Sequence, residues 1–158
     1  MNHHFKAHQI IRDNLRELLK TTEHEELLTI PAGFNNNIYW NIAHCLATQQ
    51  LLHYYLSGNP FRIDKLWIEK YKKGTLPNFD ATASDVDDLS FLLKETSRIF
   101  VKDFDEEFFT EYTPYTTTLG MDLRSIQDAI VYNNIHESLH LGYAMAQKRA
   151  LLGEDENW

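Results

Sequence analysis

Cysteine is almost absent from the sequence, because Cys45 is the only one in 158 residues. An internal disulfide is therefore excluded, and since Cys45 lies in an apolar stretch with helical spacing, we predict a buried, reduced thiol. No apolar run approaches the roughly 20 residues that a membrane-spanning helix needs, which argues against a membrane partner. The N-terminus also lacks the charged-then-apolar order of a signal peptide, so the sequence predicts a cytoplasmic protein.

Positive charge is scarce as well. The chain has 15 Lys and Arg against 23 Asp and Glu, a formal net charge of -8, and no basic cluster longer than Lys72-Lys73. Nucleic-acid binding depends on clustered positive charge, so nucleic acid is not expected as a partner. Acidic residues concentrate at 85–88 and 103–107, and we interpret these as solvated helix faces and ends rather than a cation site.

The apolar residues that are present follow helical spacing. Hydrophobic residues make up 43% of the chain, which is typical of a globular protein, and residues 1–158 are expected to form a single domain. Apolar positions recur at three- and four-residue steps in four long segments, over about 5–18, 38–56, 84–104 and 122–152. With no sustained strand alternation and no internal repeat, this pattern predicts an all-α four-helix bundle with long crossover connections.

Polar residues mark the expected helix ends. Asn35 to Asn37 offer N-cap side chains before the second helix, Ser84 with Asp87 resembles a capping box, and Asp122 is expected to cap the fourth helix. On the first helix, Arg12 falls among the polar residues outside the apolar stripe. The connection before the third helix is long and is expected to contain one short helix near 66–71.

Three histidines lie on stripes that should face the bundle interior. His136 and His140 are one helical turn apart on the fourth helix, in a stripe that is also expected to include Tyr143. His44 occupies the inward stripe of the second helix, and packing of the two helices could bring all three together. Three neutral imidazoles hold a divalent metal and leave positions open for water or substrate, as in catalytic zinc sites; imidazole also suits nickel and iron.

Other interpretations of these residues must be weighed. A histidine on an apolar face is more often a hydrogen-bonded core residue, which is the interpretation we favour for His8. His136 to His140 also reads H-E-x-x-H, a metalloprotease motif in which Glu137 would be the general base. The lack of a downstream third-ligand motif and of strands to hold a peptide disfavours a peptidase. Glu137 could otherwise orient a water or ligand, although an exposed helical glutamate is the ordinary alternative.

With these residues identified, the chain resembles the DinB/YfiT-like family of metal-binding four-helix bundles. Trp40 to His44 is similar to the family's Trp-x3-His stretch on helix two. His136 to Gly142 is similar to its His-x3-His-x-Gly stretch on helix four, and Lys73 to Pro77 to its middle loop. The resemblance covers nearly the whole chain and implies that His44, His136 and His140 are the metal ligands.

The resemblance also implies classes of function. Family members with known activity are mostly transferases or isomerases that use low-molecular-weight thiols such as bacillithiol or mycothiol, and dimers are common. The leading expectation is therefore a metal-dependent thiol S-transferase with zinc, nickel or iron, a small-molecule substrate and a homodimeric state. A metal-dependent hydrolase and a non-catalytic metal-binding bundle stay open.

Catalytic residues are not fixed by the resemblance. Glu137 is one candidate, and Tyr143 is another because many members have Gln at that position. Loops beside a buried site tend to form its mouth, so Tyr115, Thr116 to Thr118 and the segment around Trp67 are expected there.

Overall fold

The computed structural model describes residues 2–77 and 79–152 of the chain. Its elements are, in order, α1 (Asn2–Lys20), α2 (His24–Leu28), α3 (Ile38–Gln50), a π-helical turn (Leu51–Tyr55), α4 (Lys65–Tyr71), α5 (Ala83–Asp105), β1 (Tyr115–Thr116), β2 (Asp122–Leu123) and α6 (Ile126–Leu152). The long helices α1, α3, α5 and α6 match the four predicted segments, and the all-α fold is confirmed. In the described ranges, no helix has an apolar stretch of the length that a bilayer requires.

Helix α3 lies at the centre of the packing. It contacts α6, α4, α2 and α5, and all of its residues except Thr48 are buried. Its start is the predicted one, because the backbone N–H of Trp40 donates to Asn37 Oδ1 at 2.8 Å. Cys45 is free and fully buried, and burial raises the pKa of its thiol well above the ordinary value. The predicted buried thiol is confirmed.

The start of α5 differs from the prediction. Thr82 Oγ1 accepts from the backbone N–H of Asp85 at 3.2 Å, and the backbone N–H of Thr82 donates to Asp85 Oδ2 at 2.7 Å. The capping box is therefore Thr82 with Asp85, and the predicted pair Ser84 with Asp87 is wrong. Both pairs have the spacing of the motif, and the helix extends to the upstream pair because each added residue gains a backbone hydrogen bond.

The start of α6 differs in the opposite direction and lies downstream of the predicted cap. The backbone N–H of Asp128 donates to Ser125 Oγ at 3.2 Å, so the side chain of Ser125 satisfies an otherwise free donor at the helix start. Asp122 does not cap the helix. It belongs to β2, where its carboxylate accepts a hydrogen bond from Thr116 Oγ1 at 2.7 Å across the two-stranded ribbon. This short ribbon and α2 were not predicted.

A buried ion pair connects α1 to α6. Arg12 and Glu137 are both fully buried. Arg12 Nε donates to Glu137 Oε2 at 2.7 Å, and Nη2 donates to Oε1 at 2.6 Å. Asn133 Nδ2 donates to Oε1 at 2.9 Å, and His8 Nε2 lies 3.5 Å from the same oxygen. The assignment of Arg12 to the polar face and the ordinary expectation of an exposed Glu137 are both wrong, whereas His8 is a buried core residue as predicted.

Candidate metal centre

The three predicted histidines meet between α3 and α6. The ring centroid of His44 lies 5.3 Å from that of His136 and 4.9 Å from that of His140, and the latter two rings are 4.5 Å apart. One nitrogen from each ring lies within 4.8 Å of the others, so the cluster could hold a metal ion.

Hydrogen bonds fix the proton position on two of these rings. His44 Nδ1 is 2.7 Å from the carbonyl oxygen of Tyr71, and His140 Nδ1 is 2.8 Å from Asn41 Oδ1. Because an amide oxygen only accepts, each Nδ1 must carry the proton. Each Nε2 then keeps its lone pair, which is the arrangement found in histidines that bind metal.

The third ring has a nitrogen without a protein partner. Nδ1 of His136 is buried and makes no hydrogen bond within the described residues. A buried polar nitrogen without a partner is unusual in native proteins, and it would be accounted for if this nitrogen were the one that coordinates the ion. Three imidazoles of this kind fit zinc, nickel or iron.

Burial keeps the cluster uncharged at neutral pH. The pKa of His136 is lowered to about 4 and that of His140 to about 3, chiefly by desolvation and in addition by the neighbouring rings. Desolvation also lowers the pKa of His44, and its hydrogen bond to Tyr71 only partly opposes this. Neutral imidazole is the form that binds metal, so the site does not have to lose protons when an ion enters near pH 7.

Trp40 explains two of the sequence motifs. Its ring stacks on His44, with centroids 4.8 Å apart and planes 7° from parallel. Its Nε1 donates to Thr75 Oγ1 at 3.1 Å. The Trp-x3-His spacing therefore places the Trp40 ring against one face of His44. The middle loop, which contains Thr75, holds the tryptophan in place.

A chain of hydrogen-bonded amides, two of them buried, supports His140. Asn41 Nδ2 donates to Gln147 Oε1 at 2.7 Å and to Asn36 Oδ1 at 2.8 Å, and Gln147 Nε2 donates to the carbonyl of Asn36. These bonds orient the Asn41 amide so that its oxygen faces His140. Asn41 thus orients the ring of His140, one of the candidate metal ligands. The sequence analysis missed this role, although Asn41 lies inside the Trp-x3-His stretch.

Replacing Asn41 with leucine is expected to weaken zinc binding by roughly 10–100-fold, because His140 then loses the acceptor that fixes its proton and ring orientation. Zinc affinity would be measured at pH 7 by competition with a chelating dye. Asn41→Asp retains an acceptor and should bind zinc more tightly than Asn41→Leu. Asn134→Leu is the control, because Asn134 lies on α6 but donates to the carbonyl of His4. Equal affinity in wild type and Asn41→Leu would contradict the assignment.

A cavity of about 570 Å³ opens beside the three rings. The π-helical turn after α3 contributes much of its wall, and such turns often occur at functional sites. Besides the histidines, the cavity is lined by Thr48, Leu51, Leu52, Tyr55, Leu56, Lys73, Tyr115, Thr118, Leu119, Tyr132 and Leu139. Two of these could have been found from the sequence, because Thr48 and Tyr132 are each one helical turn from a candidate metal ligand.

The loop residues that were expected at the mouth divide into two groups. Tyr115 and Thr118 line the cavity, whereas Thr116 and Thr117 do not. Trp67 does not line it either; its ring packs against Tyr71, with centroids 5.4 Å apart.

The two candidates for catalytic contacts lie away from the cavity wall. Glu137 follows His136 directly but is bound by Arg12 on the α1 side of α6. Tyr143 is 39% exposed, and its ring meets Phe34 edge-on with centroids 5.1 Å apart. The expectation that Tyr143 faces the interior is therefore wrong.

The fold and the site together define a helical bundle with a three-histidine cluster that could hold a metal. The sequence profile described as the DinB superfamily matches residues 7–144, which include all three histidines, and the chain belongs to this superfamily. No curated protein matches the chain significantly. A crystal structure described as a conserved protein of locus from Enterococcus faecalis is similar over 97% of each chain, with a TM-score of 0.67 and 17% identity. At that identity the similarity shows the fold alone.

Proposed function

We propose that this protein is a metal-dependent transferase that acts with a low-molecular-weight thiol, with the metal on His44, His136 and His140. The observation that supports this most directly is the position of the three neutral imidazoles in the wall of a 570 Å³ cavity. Such a cavity is large enough for a small substrate beside the ion. A site that served only to tie two helices together would not require this space.

The proposed thiol chemistry depends on the positive charge of the ion. A divalent ion at this site would supply positive charge that lowers the pKa of a nearby thiol and favours the nucleophilic thiolate. The three histidines contribute no negative charge to offset it, because all are neutral. Leu51 and Leu139 contribute apolar surface to the wall. The hydroxyl of Thr48 donates to His44 Nε2 at 3.2 Å, and it would be released to a bound group if an ion took that nitrogen.

Hydrolysis by an H-E-x-x-H mechanism is less well supported. That mechanism needs the glutamate as a general base beside the metal. Here both oxygens of Glu137 accept hydrogen bonds from Arg12, and the described lining of the cavity contains no carboxylate. Chelator-sensitive cleavage of casein or a simple ester would support the hydrolase instead.

The zinc-loaded protein should accelerate the reaction of bacillithiol or mycothiol with monochlorobimane by roughly tenfold or more, because a lowered thiol pKa raises the thiolate fraction. In this reaction the sulfur forms a C–S bond, chloride leaves with the electrons of the C–Cl bond, and the thiol proton passes to solvent. The fluorescence of the bimane thioether gives the rate.

Two controls make the transferase result specific. Glutathione, used in place of bacillithiol or mycothiol, tests whether the protein distinguishes one thiol from another. His136→Ala/His140→Ala should reduce the rate to that of the uncatalysed reaction. A metal-loaded protein that accelerates neither bacillithiol nor mycothiol transfer would contradict the proposal and favour a non-catalytic metal-binding bundle.

A further inference from the structure

The charge of the cavity is opposite to that of the chain as a whole. The protein has a formal net charge of -8. Of the 14 residues that line the cavity in the described part of the chain, none is Asp or Glu, and Lys73 is the one with a full positive charge. A divalent ion on three neutral histidines would keep both of its charges. With such an ion bound, the cavity would be an electropositive site in an acidic protein, and it should select anions.

Most of the cavity wall is nevertheless apolar. It is formed by five leucine side chains and three tyrosine rings, namely Leu51, Leu52, Leu56, Leu119, Leu139, Tyr55, Tyr115 and Tyr132. Contact with such a wall favours an apolar ligand body, because it removes apolar surface of the ligand from water. Several charged groups placed against this wall would mostly lack partners, so the wall limits the number of charges on the molecule that lies against it.

Lys73 is placed to bind the anionic part of such a ligand. It lies in the connection between α4 and α5, and its Nζ donates to Thr118 Oγ1 at 3.1 Å in the turn between β1 and β2. The two connections thus meet at the cavity. A neutral hydroxyl is a weaker acceptor for an ammonium group than a carboxylate is, so an entering carboxylate can replace Thr118 as the partner of Lys73.

We propose that the cavity binds a small molecule with an apolar body and one carboxylate, and that Lys73 binds the carboxylate. This inference rests on the proposed function, in which the molecule is the electrophile that receives the thiol. It assigns Lys73 as a specificity-determining residue and excludes electrophiles with several charges.

The test compares two ligands that differ in charge but hardly in shape. Binding of 4-phenylbutanoate and 4-phenylbutanamide to the zinc-supplemented protein is measured by titration calorimetry. The acid should bind about tenfold more tightly than the amide, because the amide lacks the charge that the electropositive site selects. Lys73→Gln should weaken acid binding by about threefold, the scale of one exposed ion pair, and leave amide binding unchanged.

Lys72→Gln is the matched control. Lys72 is the neighbouring lysine in the same connection, but it pairs with Glu69 and does not line the cavity, so both ligands should bind this variant as they bind wild type. Equal binding of acid and amide, binding of neither, or equal weakening by both substitutions would overturn the inference. Since calorimetry requires no thiol transfer, acid binding through Lys73 without transferase activity would overturn only the proposed function. Transfer without acid preference would overturn only this inference.

Discussion

Arg12→Ala is expected to lower the free energy of unfolding by about 3–5 kcal/mol, because it leaves a charged group buried without its partner. Both Arg12 and Glu137 are fully buried, and the guanidinium holds both carboxylate oxygens. Burial alone would raise the pKa of Glu137, but Arg12 and His8 outweigh it and hold that pKa well below its usual range. The carboxylate is therefore charged in the native protein and depends on Arg12.

Urea unfolding in the presence of EDTA would measure this loss without a contribution from bound metal. Arg16→Ala is the control: Arg16 lies one turn further along α1, is half-buried and donates to the carbonyl of Ser90, so its replacement should cost less than about 1 kcal/mol. Arg12→Met/Glu137→Leu removes both charges and should be more stable than Arg12→Ala. If Arg12→Ala is no less stable than Arg16→Ala, the ion pair does not hold the core together.

This ion pair also bears on the metal centre. Glu137 and His136 are adjacent on α6, so their side chains leave the helix in different directions. Arg12 holds Glu137 toward α1, and His136 and His140 meet His44 of α3. The pair thus fixes how α6 is rotated between α1 and α3, which sets the direction of two of the three candidate ligands.

The parts of this protein that the sequence could predict are those that repeat along a helix. His44 shares a helical face with Trp40, and His136 shares one with His140, so spacing alone gave their inward direction and their helices. Spacing gave no information about Arg12. A charged side chain is normally assigned to solvent, and its partner Glu137 lies 125 residues away in the sequence.

Two other differences have local causes. Tyr143 continues the stripe of His136 and His140, yet it is 39% exposed because its neighbour Ala144 is the residue that enters the core at this level, which directs Tyr143 away toward the edge of Phe34. Lys73 and Thr118 lie in connections that have no periodicity, so only the folded chain could bring them to one cavity. The sequence could thus predict the candidate ligands but only part of the pocket around them.

The His136→Ala/His140→Ala variant should retain almost no metal, whereas the wild-type protein should contain about one equivalent, because a single remaining imidazole cannot supply the three-ligand set of an open site. Plasma mass spectrometry of the two proteins, purified in parallel, would measure this. Bound metal also stabilises the native state by mass action, by about 2.7 kcal/mol when free zinc is 100 times its Kd. Zinc should therefore raise the Tm of the wild type and leave that of the double variant unchanged.

His24→Ala is the control for this experiment, because His24 is an exposed histidine of α2 outside the cluster and its loss should change neither metal content nor the zinc-dependent Tm. His44→Ala tests the ligand from α3 separately. If His44 completes the set, its replacement should abolish the Tm increase although His136 and His140 remain on α6. A wild-type protein that takes up no zinc, nickel or ferrous iron would contradict the site itself. In that case the neutral cluster would be a buried polar feature of the bundle, and the unpartnered nitrogen of His136 would require a water molecule in place of an ion.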